Sequence, residues 1–194
     1  AVLLATRAPV LVVPAMNDQM WAHSQTRRNV RHLREIGYAV LEPDEGALAA
    51  GEGEGPGRMP EPETIFAYVG RMLERRSESP LAGRRVVVTA GPTREAIDPV
   101  RFVSNHSSGK MGVALAASAW RRGANVTLVA GPLAVAPPPG PVVRAVESTE
   151  DMARAVEALL PDADVLIMAA APSDFRPIQV AAKKIKKGKD APVV

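Results

Sequence analysis

The sequence predicts a parallel α/β protein in two halves, on three observations. Short valine-rich runs at residues 10–13, 85–89 and 165–170 have the unbroken apolar character of strands buried on both faces. Stretches of about a dozen residues with apolar positions at helical spacing alternate with them, as parallel sheets require. Between the two sets lies a polar, aperiodic, proline-containing segment, residues 74–81 (ERRSESPL). The division expected is residues 1–77, a linker at 78–84, and residues 85–194.

In the first half, the strand at 10–13 leads to a helix capped by Asn17 or Asp18 and running to Ile36, where Gly37 suits the position just past its end. A strand follows at 38–41. Residues 47–60 read as a loop, with Gly51, Gly53, Gly55 and Gly57 at alternate positions. Residues 46–61 are too rich in glycine for a regular element and suit either a mobile flap over a ligand or a plain connector. Ile65, Val69, Met72 and Leu73 then mark a helix.

The second half opens with the strand at 85–89 and a long loop to Gly109. A helix follows from Lys110 to Arg122, stopped by Gly123, then a strand at 125–130. Residues 131–141, with five prolines, form a loop before a short strand at 142–146. A helix over 149–160 shows Met152, Ala155, Val156 and Leu159 on one face, and a strand at 165–170 completes the pattern.

Composition narrows the function. The 194 residues include no cysteine, which excludes a disulfide framework, a Cys-ligated zinc and a thiolate nucleophile. Apolar runs fall short of the ~20 residues of a membrane span, and no cationic segment precedes one. A soluble, cytoplasmic protein without a membrane partner is expected. Net charge is +3, so a general pull on nucleic acid is weak. The opening at Ala1 inside the run AVLLAT and the close at Pro192, Val193 and Val194, readable as the start of a strand, predict a piece of a longer polypeptide.

Ligands of such sheets sit beyond the carboxyl ends of the strands. That directs attention to residues 14–17, 90–109, 131–141 and 171–187. The turn Ala90-Gly91-Pro92-Thr93 lacks the Gly-x-Gly-x-x-Gly of a dinucleotide site. Ser107-Ser108-Gly109-Lys110-Met111-Gly112 opens a helix; an anion site and an ordinary capped turn both fit it. It is no P-loop, since Ser104 and Met111 replace the first glycine and the hydroxyl residue. Five lysines between Lys183 and Lys189 suit a triphosphate, a nucleic-acid backbone or merely a solvated run. Asp174 suits a ribose, a shared metal or a cap. His23, His32 and His106 have no ligand spacing, and the first two read as surface or packing residues on a helix.

Taken together, these segments resemble one family. Pro14-Ala15-Met16-Asn17 with Met20-Trp21, then Gly57-Arg58-Met59 before Glu61-Pro62, resemble the end of a flavin-dependent phosphopantothenoylcysteine decarboxylase domain. Residues 89–95 (TAGPTRE), 98–101 (DPVR) and 104–112 (SNHSSGKMG), continued by Ala169-Ala170-Ala171, Asp174 and residues 184–187 (KIKK), resemble the phosphopantothenate–cysteine ligase fused to it. The resemblance covers essentially the whole chain in the order of the bifunctional enzymes of coenzyme A biosynthesis. It implies two Rossmann-like halves, a flavodoxin-like end followed by a ligase domain, both incomplete.

The resemblance also implies roles. CTP activates 4′-phosphopantothenate as an acyl-cytidylate, and the amine of cysteine displaces CMP. Asn105 would engage the acyl-cytidylate and Lys184 reach the triphosphate from a mobile strap. Met168, Ala169, Ala170 and Asp174 would bind the nucleotide, and Arg101 would belong to the substrate and dimer region. Mg²⁺ is implied as companion of the triphosphate, with no ligand named. In the first half Ala15 would contact FMN and Asn17 bind the carboxylate of phosphopantothenoylcysteine. The family's proton-donating flap cysteine has its place at Ala50, in Ala49-Ala50-Gly51, so the decarboxylase half lacks that donor. A homo-oligomer is implied, decarboxylase trimers and ligase dimers. The rival classes are a nicotinamide-dependent oxidoreductase, against which the missing glycine fingerprint counts, and a basic nucleic-acid-binding module, against which the lack of interleaved aromatics counts.

Overall fold

The computed structural model describes residues 2–74 and 79–186. The chain divides into two compact units, Ala1–Ser77 and Glu78–Val194. Residues 75–78 of the polar segment 74–81, Lys187, Lys189 and the strand start expected at Pro192–Val194 lie outside the described residues.

The first unit opens with a short helix, α1 (Val2–Ala5). Strand β1 (Leu11–Val12) pairs in parallel with β2 (Ala39–Val40). Between them the single helix expected from Asn17 to Ile36 is two, α2 (Asp18–Ala22) and α3 (Ser24–Glu35). The break is His23, whose backbone is extended and whose Nδ1 accepts from the Gln25 N–H at 3.2 Å, so that it caps α3 rather than lying on a helix face. No glycine or proline stands between Asp18 and Ile36 to mark the break, which is why the sequence does not announce it.

The expected glycine-rich loop is largely a hairpin. β3 (Asp44–Ala47) pairs antiparallel with β4 (Glu54–Arg58), with a bulge at Asp44/Glu45. Glycine at every second position is the period of one strand face, and that face lies close to the backbone leading into α2. A Cβ at Gly57 would overlap the Met16 carbonyl oxygen, and one at Gly55 would come to 3.2 Å of the Asp18 Cβ. Helix α4 (Pro62–Glu74) closes the unit.

The second unit is built on a four-stranded parallel sheet. β5 (Arg85–Ala90) is followed by a hairpin, β6 (Arg94–Ala96) and β7 (Phe102–Ser104), within what the sequence suggests is one long loop. Three-residue strands are too short to show alternation. The turn is set by Asp98, whose Oδ1 accepts from Val100 N–H at 2.8 Å and Arg101 N–H at 2.9 Å. Helix α5 (Lys110–Arg121) leads to β8 (Asn125–Ala130), then β9 (Val142–Ala145), α6 (Thr149–Glu157), a short 3₁₀ turn at Leu160–Asp162 and β10 (Val165–Met168). Residues 79–84 form turns joined to this unit, with Gly83 N–H donating to Gly123 O at 3.0 Å.

The sheet order is β10-β5-β8-β9. Helices cover both faces. α6 lays Met152, Ala155 and Val156 on Val87 and Val129, and α5 packs on β5 and β8. Gly112 of α5 lies so near β5 that a Cβ there would come to 2.5 Å of the Ala90 Cβ. The two central strands supply most of the core, with Val86, Val88, Ala90, Leu128 and Val129 almost wholly buried.

Helix α6 begins with a reciprocal cap. Ser148 Oγ accepts from Asp151 N–H at 3.1 Å while Asp151 Oδ2 accepts from Ser148 N–H at 3.1 Å. The Ser148 hydroxyl and N–H, then the Arg154 guanidinium, lower the Asp151 pKa to about 2. A lowered carboxylate contributes stability that is complete above its unfolded pKa of 3.8 and is lost as pH falls toward 2. Ser148→Ala is expected to cost about 1 kcal/mol at neutral pH. Urea unfolding at pH 7 and at pH 3 should show the gap between wild type and variant narrowing in acid.

Candidate functional site

The chain runs β5, β8, β9 outward and then crosses back to β10 on the other side of β5. The order therefore reverses between β5 and β10, and the crevice at their carboxyl ends is where a doubly wound sheet takes its ligand. Met168 ends β10; it is exposed, and Ala169 and Ala170 are half-buried beside it.

Buried hydroxyls shape this crevice. Thr89 is fully buried at the end of β5, and its Oγ1 accepts from the N–H groups of Ala169 at 3.1 Å and Ala170 at 3.2 Å. Pro92 and Ala171 then bridge in parallel, with Ala171 N–H donating to Gly91 O at 2.8 Å. Thr93, also fully buried, accepts from Ser173 N–H at 2.8 Å, leaving its own proton for Thr149 Oγ1 at 2.9 Å. Thr149 in turn reaches Ser173 O at 3.5 Å, and its N–H donates to Glu95 Oε1 at 2.8 Å. The segment just before Asp174 is thus held from both sides, and Asp174 itself is exposed.

Asn105 stands where β7 gives way to α5. Its Nδ2 donates to Pro172 O at 2.8 Å, which ties the approach to α5 to the segment after β10. The structure therefore brings Asn105 onto the segment that runs from Ala169 and Ala170 to Asp174, at Pro172. Gly109 caps α5 with φ 75°. A Cβ there would overlap the Leu133 side chain and come to 3.3 Å of Gly91 N, so glycine brings the helix start up against the β5 turn.

Arg101 and the Lys184–Lys186 segment meet at a third point. Asp98, with its side chain wholly buried, accepts at Oδ2 from Arg101 Nε at 3.0 Å, Arg101 Nη2 at 2.5 Å and Ile185 N–H at 3.0 Å. Arg101 Nη2 also donates to Ile185 O at 3.0 Å. The Arg101 guanidinium, then the Ile185 N–H, hold the Asp98 carboxyl well below the usual carboxylate range. Lys184 and Lys186 flank this joint, both exposed.

In the first unit, Ala15, Met16 and Asn17 face the hairpin across a cavity of about 370 Å³, lined also by Ala49, Gly57 and Met59. Met16 N–H donates to Gly57 O at 2.9 Å. Asn17 Oδ1 accepts from Gln19 N–H at 2.9 Å as the cap of α2, which fixes its amide in the cavity wall. The hairpin tip is closed by Leu48 N–H to Gly53 O at 3.0 Å and Glu52 N–H to Ala49 O at 2.9 Å, and Ala50 is exposed upon it.

Thr89, Thr93, Glu95 and Asp98 escape sequence reasoning as site-builders. Asp-Pro at 98–99 carries a turn signal, but the partners of Thr89, Thr93 and Glu95, and the Ile185 partner of Asp98, are remote in sequence.

A doubly wound sheet with a built crevice at its switch point, joined in one chain to a unit with a loop-and-hairpin cleft, defines a two-part α/β protein. Residues 81–194 match the DNA/pantothenate metabolism flavoprotein C-terminal domain, and residues 1–74 match the Flavoprotein family. The chain belongs to the DNA/pantothenate metabolism flavoprotein family. It is 52% identical over 195 aligned residues to the coenzyme A biosynthesis bifunctional protein CoaBC of Mycobacterium tuberculosis, covering 99% of this chain and 46% of that protein. To the protein of the same name from Bacillus subtilis it is 46% identical, covering 95% of this chain and 46% of the relative. The crystal structure of the C-terminal domain of a CoaBC protein aligns at 52% identity over 51% of this chain and 50% of its own, with a TM-score of 0.49. The chain spans about half the length of the curated relatives it matches. Among the described residues no helix is long and apolar enough to cross a membrane.

Thr89→Val keeps shape but removes the acceptor of two buried N–H groups. At about 1–3 kcal/mol for each such group, the variant should lose roughly 2–6 kcal/mol in chemical unfolding, while Thr89→Ser stays within about 1 kcal/mol of wild type.

Proposed function

We propose that the chain acts in coenzyme A biosynthesis, its second unit in the CTP-dependent joining of 4′-phosphopantothenate to cysteine and its first in FMN-dependent decarboxylation of the product. Residues 78–84 would join the two. The observation that carries the reading is the crevice between β5 and β10, where Ala169 and Ala170 donate to Thr89, Ser173 beside Asp174 donates to Thr93, and Asn105 donates to Pro172.

A free carboxylate resists attack by an amine because oxide is a poor leaving group. In the proposed reaction a carboxylate oxygen of 4′-phosphopantothenate attacks the α-phosphate of CTP and releases diphosphate. The cysteine amine then attacks the acyl carbon, the acyl C–O bond breaks so that CMP departs with that oxygen, and the new amide nitrogen sheds a proton. Met168, Ala169 and Ala170 offer backbone at the strand end to the nucleotide, Asp174 a carboxylate to its hydroxyls, and Lys184 an ammonium to the triphosphate. Mg²⁺ would travel with the phosphates. Arg101 lies on the hairpin at the margin assigned to the substrate. Asn105 spends one N–H on Pro172 and keeps the other for oxygen that gains negative charge as the amine adds. Its tether holds that donor in place before the substrate arrives.

The cleft in the first unit, about 370 Å³ and floored by the small Ala15, fits one flank of a flavin ring. FMN, when bound there, would supply the two-electron oxidation of the substrate thiol. Asn17 offers its amide N–H to the substrate carboxylate. The hairpin is the flap over that cleft, and its tip carries Ala50, which holds no proton to give. The assembly would be a homo-oligomer working on these small molecules in the cytoplasm.

Asn105→Ala should leave CTP affinity within a few-fold of wild type and slow turnover of the acyl-cytidylate by roughly 10²–10³-fold, the usual cost of one oriented donor. Mass spectrometry of the full-length polypeptide under turnover would show the acyl-cytidylate accumulating; unchanged CMP release would refute the role.

For the flap, full-length protein with Ala50 should release CO₂ from phosphopantothenoylcysteine and stop at the aminoenethiol. Ala50→Cys should carry it to phosphopantetheine. Complete conversion by the Ala50 protein would refute the stall.

A further inference from the structure

The joint at Ile185 has more built into it than a passing contact. Asp98 lies in the turn between β6 and β7, and its carboxylate is divided by function. Oδ1 takes the N–H groups of Val100 and Arg101 and closes the turn locally. Oδ2 faces the other way and takes the Ile185 N–H, from 87 residues later in the chain, together with Nε and Nη2 of Arg101. Arg101 Nη2 completes the ring by donating to the Ile185 carbonyl.

Ile185 N–H belongs to the peptide linking Lys184 to Ile185, and Ile185 C=O to the peptide linking Ile185 to Lys186. Both peptide units are therefore held, one by the carboxylate and one by the guanidinium. That fixes the points from which the side chains of Lys184 and Lys186 depart, while the ammonium groups stay exposed. A second tie, Ala181 N–H to Ile97 O at 3.0 Å, secures the same segment one residue before Asp98. A run of lysines serving only as a solvated face has no need of a buried carboxylate to seat its backbone, because burying that charge is costly unless every lone pair is used.

We propose that Asp98 and Arg101 form a latch that seats the strap at Ile185 and thereby positions Lys184 and Lys186 toward the phosphates of the nucleotide; this rests on the CTP reading of the second unit. Asp98 and Arg101 act in this through Lys184 and Lys186 and are positioning residues. The latch explains why the turn carries an aspartate rather than an asparagine. Either residue can close the turn through Oδ1, but only a carboxylate can accept three further donors at the second oxygen.

Asp98→Asn therefore separates the two halves of the device. The turn keeps its acceptor, while an amide Nδ2 confronts the Arg101 and Ile185 donors. Arg101→Met keeps the stem and removes the guanidinium. Amide hydrogen exchange followed by NMR should show Ile185 exchanging at least tenfold faster in both variants, with Val100 protected in Asp98→Asn and with Val88 and Leu128 reporting an intact core. In the ligase reaction of the full-length polypeptide, both variants should raise the KM for CTP at least fivefold, with a smaller change in the KM for cysteine. Arg101→Lys, which restores one donor, should recover part of the CTP effect. Unchanged exchange at Ile185 in both variants would overturn the latch. Faster exchange with an unaltered KM for CTP would overturn its positioning role. A wild-type protein indifferent to CTP would bring down the nucleotide reading and the positioning role with it, while the exchange data would still decide the latch.

Discussion

The fully buried hydroxyl of Thr89 is the interaction on which the second unit's site depends. A parallel sheet whose order reverses beside its first strand must bring a late segment of the chain back to that strand's carboxyl end. The backbone there leaves the ladder, so its N–H groups need partners other than a strand. Thr89 Oγ1 supplies the first two, Gly91 O the next, and Thr93 Oγ1 the last, from Ala169 to Ser173. Once these are made, the approach to α5 can be tied down through Asn105 and Pro172, and the crevice has fixed walls on both sides.

The glycines and the hydroxyls serve the same end. Gly109 and Gly112 let α5 approach the β5 turn more closely than any side chain would permit, which places the start of the helix at the crevice. In the first unit Gly57 does the equivalent for the hairpin and the Met16–Asn17 backbone, and Gly55 makes room for the Asp18 side chain. In both units, main chain is pressed against main chain where a ligand cleft opens, and side-chain chemistry is confined to a few polar groups. That economy suits a protein whose proposed substrates bring their own charge and reactive groups.

How much of this was legible in the sequence depended on range. β5 and β8 are buried on both faces, so their valine-rich runs announced them directly. The hairpins did not announce themselves: β6 and β7 have three residues each, and the glycine alternation of β4 is a strand signal that glycine content disguised. The break at His23 is hidden because no glycine or proline marks it and the capping residue is a histidine. Asp174 and the lysine run around Lys184 stand out by their place beyond a strand end and by charge, while Asn105 enters only through the family resemblance of its segment. Thr89 and Asp98 were not found at all as site-builders, since their partners lie 80 and 87 residues away and only the folded chain brings them together.

The central claim is that the crevice between β5 and β10 receives the nucleotide. Titration of the ¹⁵N-labelled 194-residue chain with CTP, followed residue by residue, tests it most directly. The account predicts saturable amide shifts at Gly91–Thr93, Asn105–Gly112, Ala169–Asp174 and Lys184–Lys186, with no comparable response to NADPH or to single-stranded DNA. Shifts confined to other surfaces, or an equal response to all three ligands that fades with salt, would contradict it.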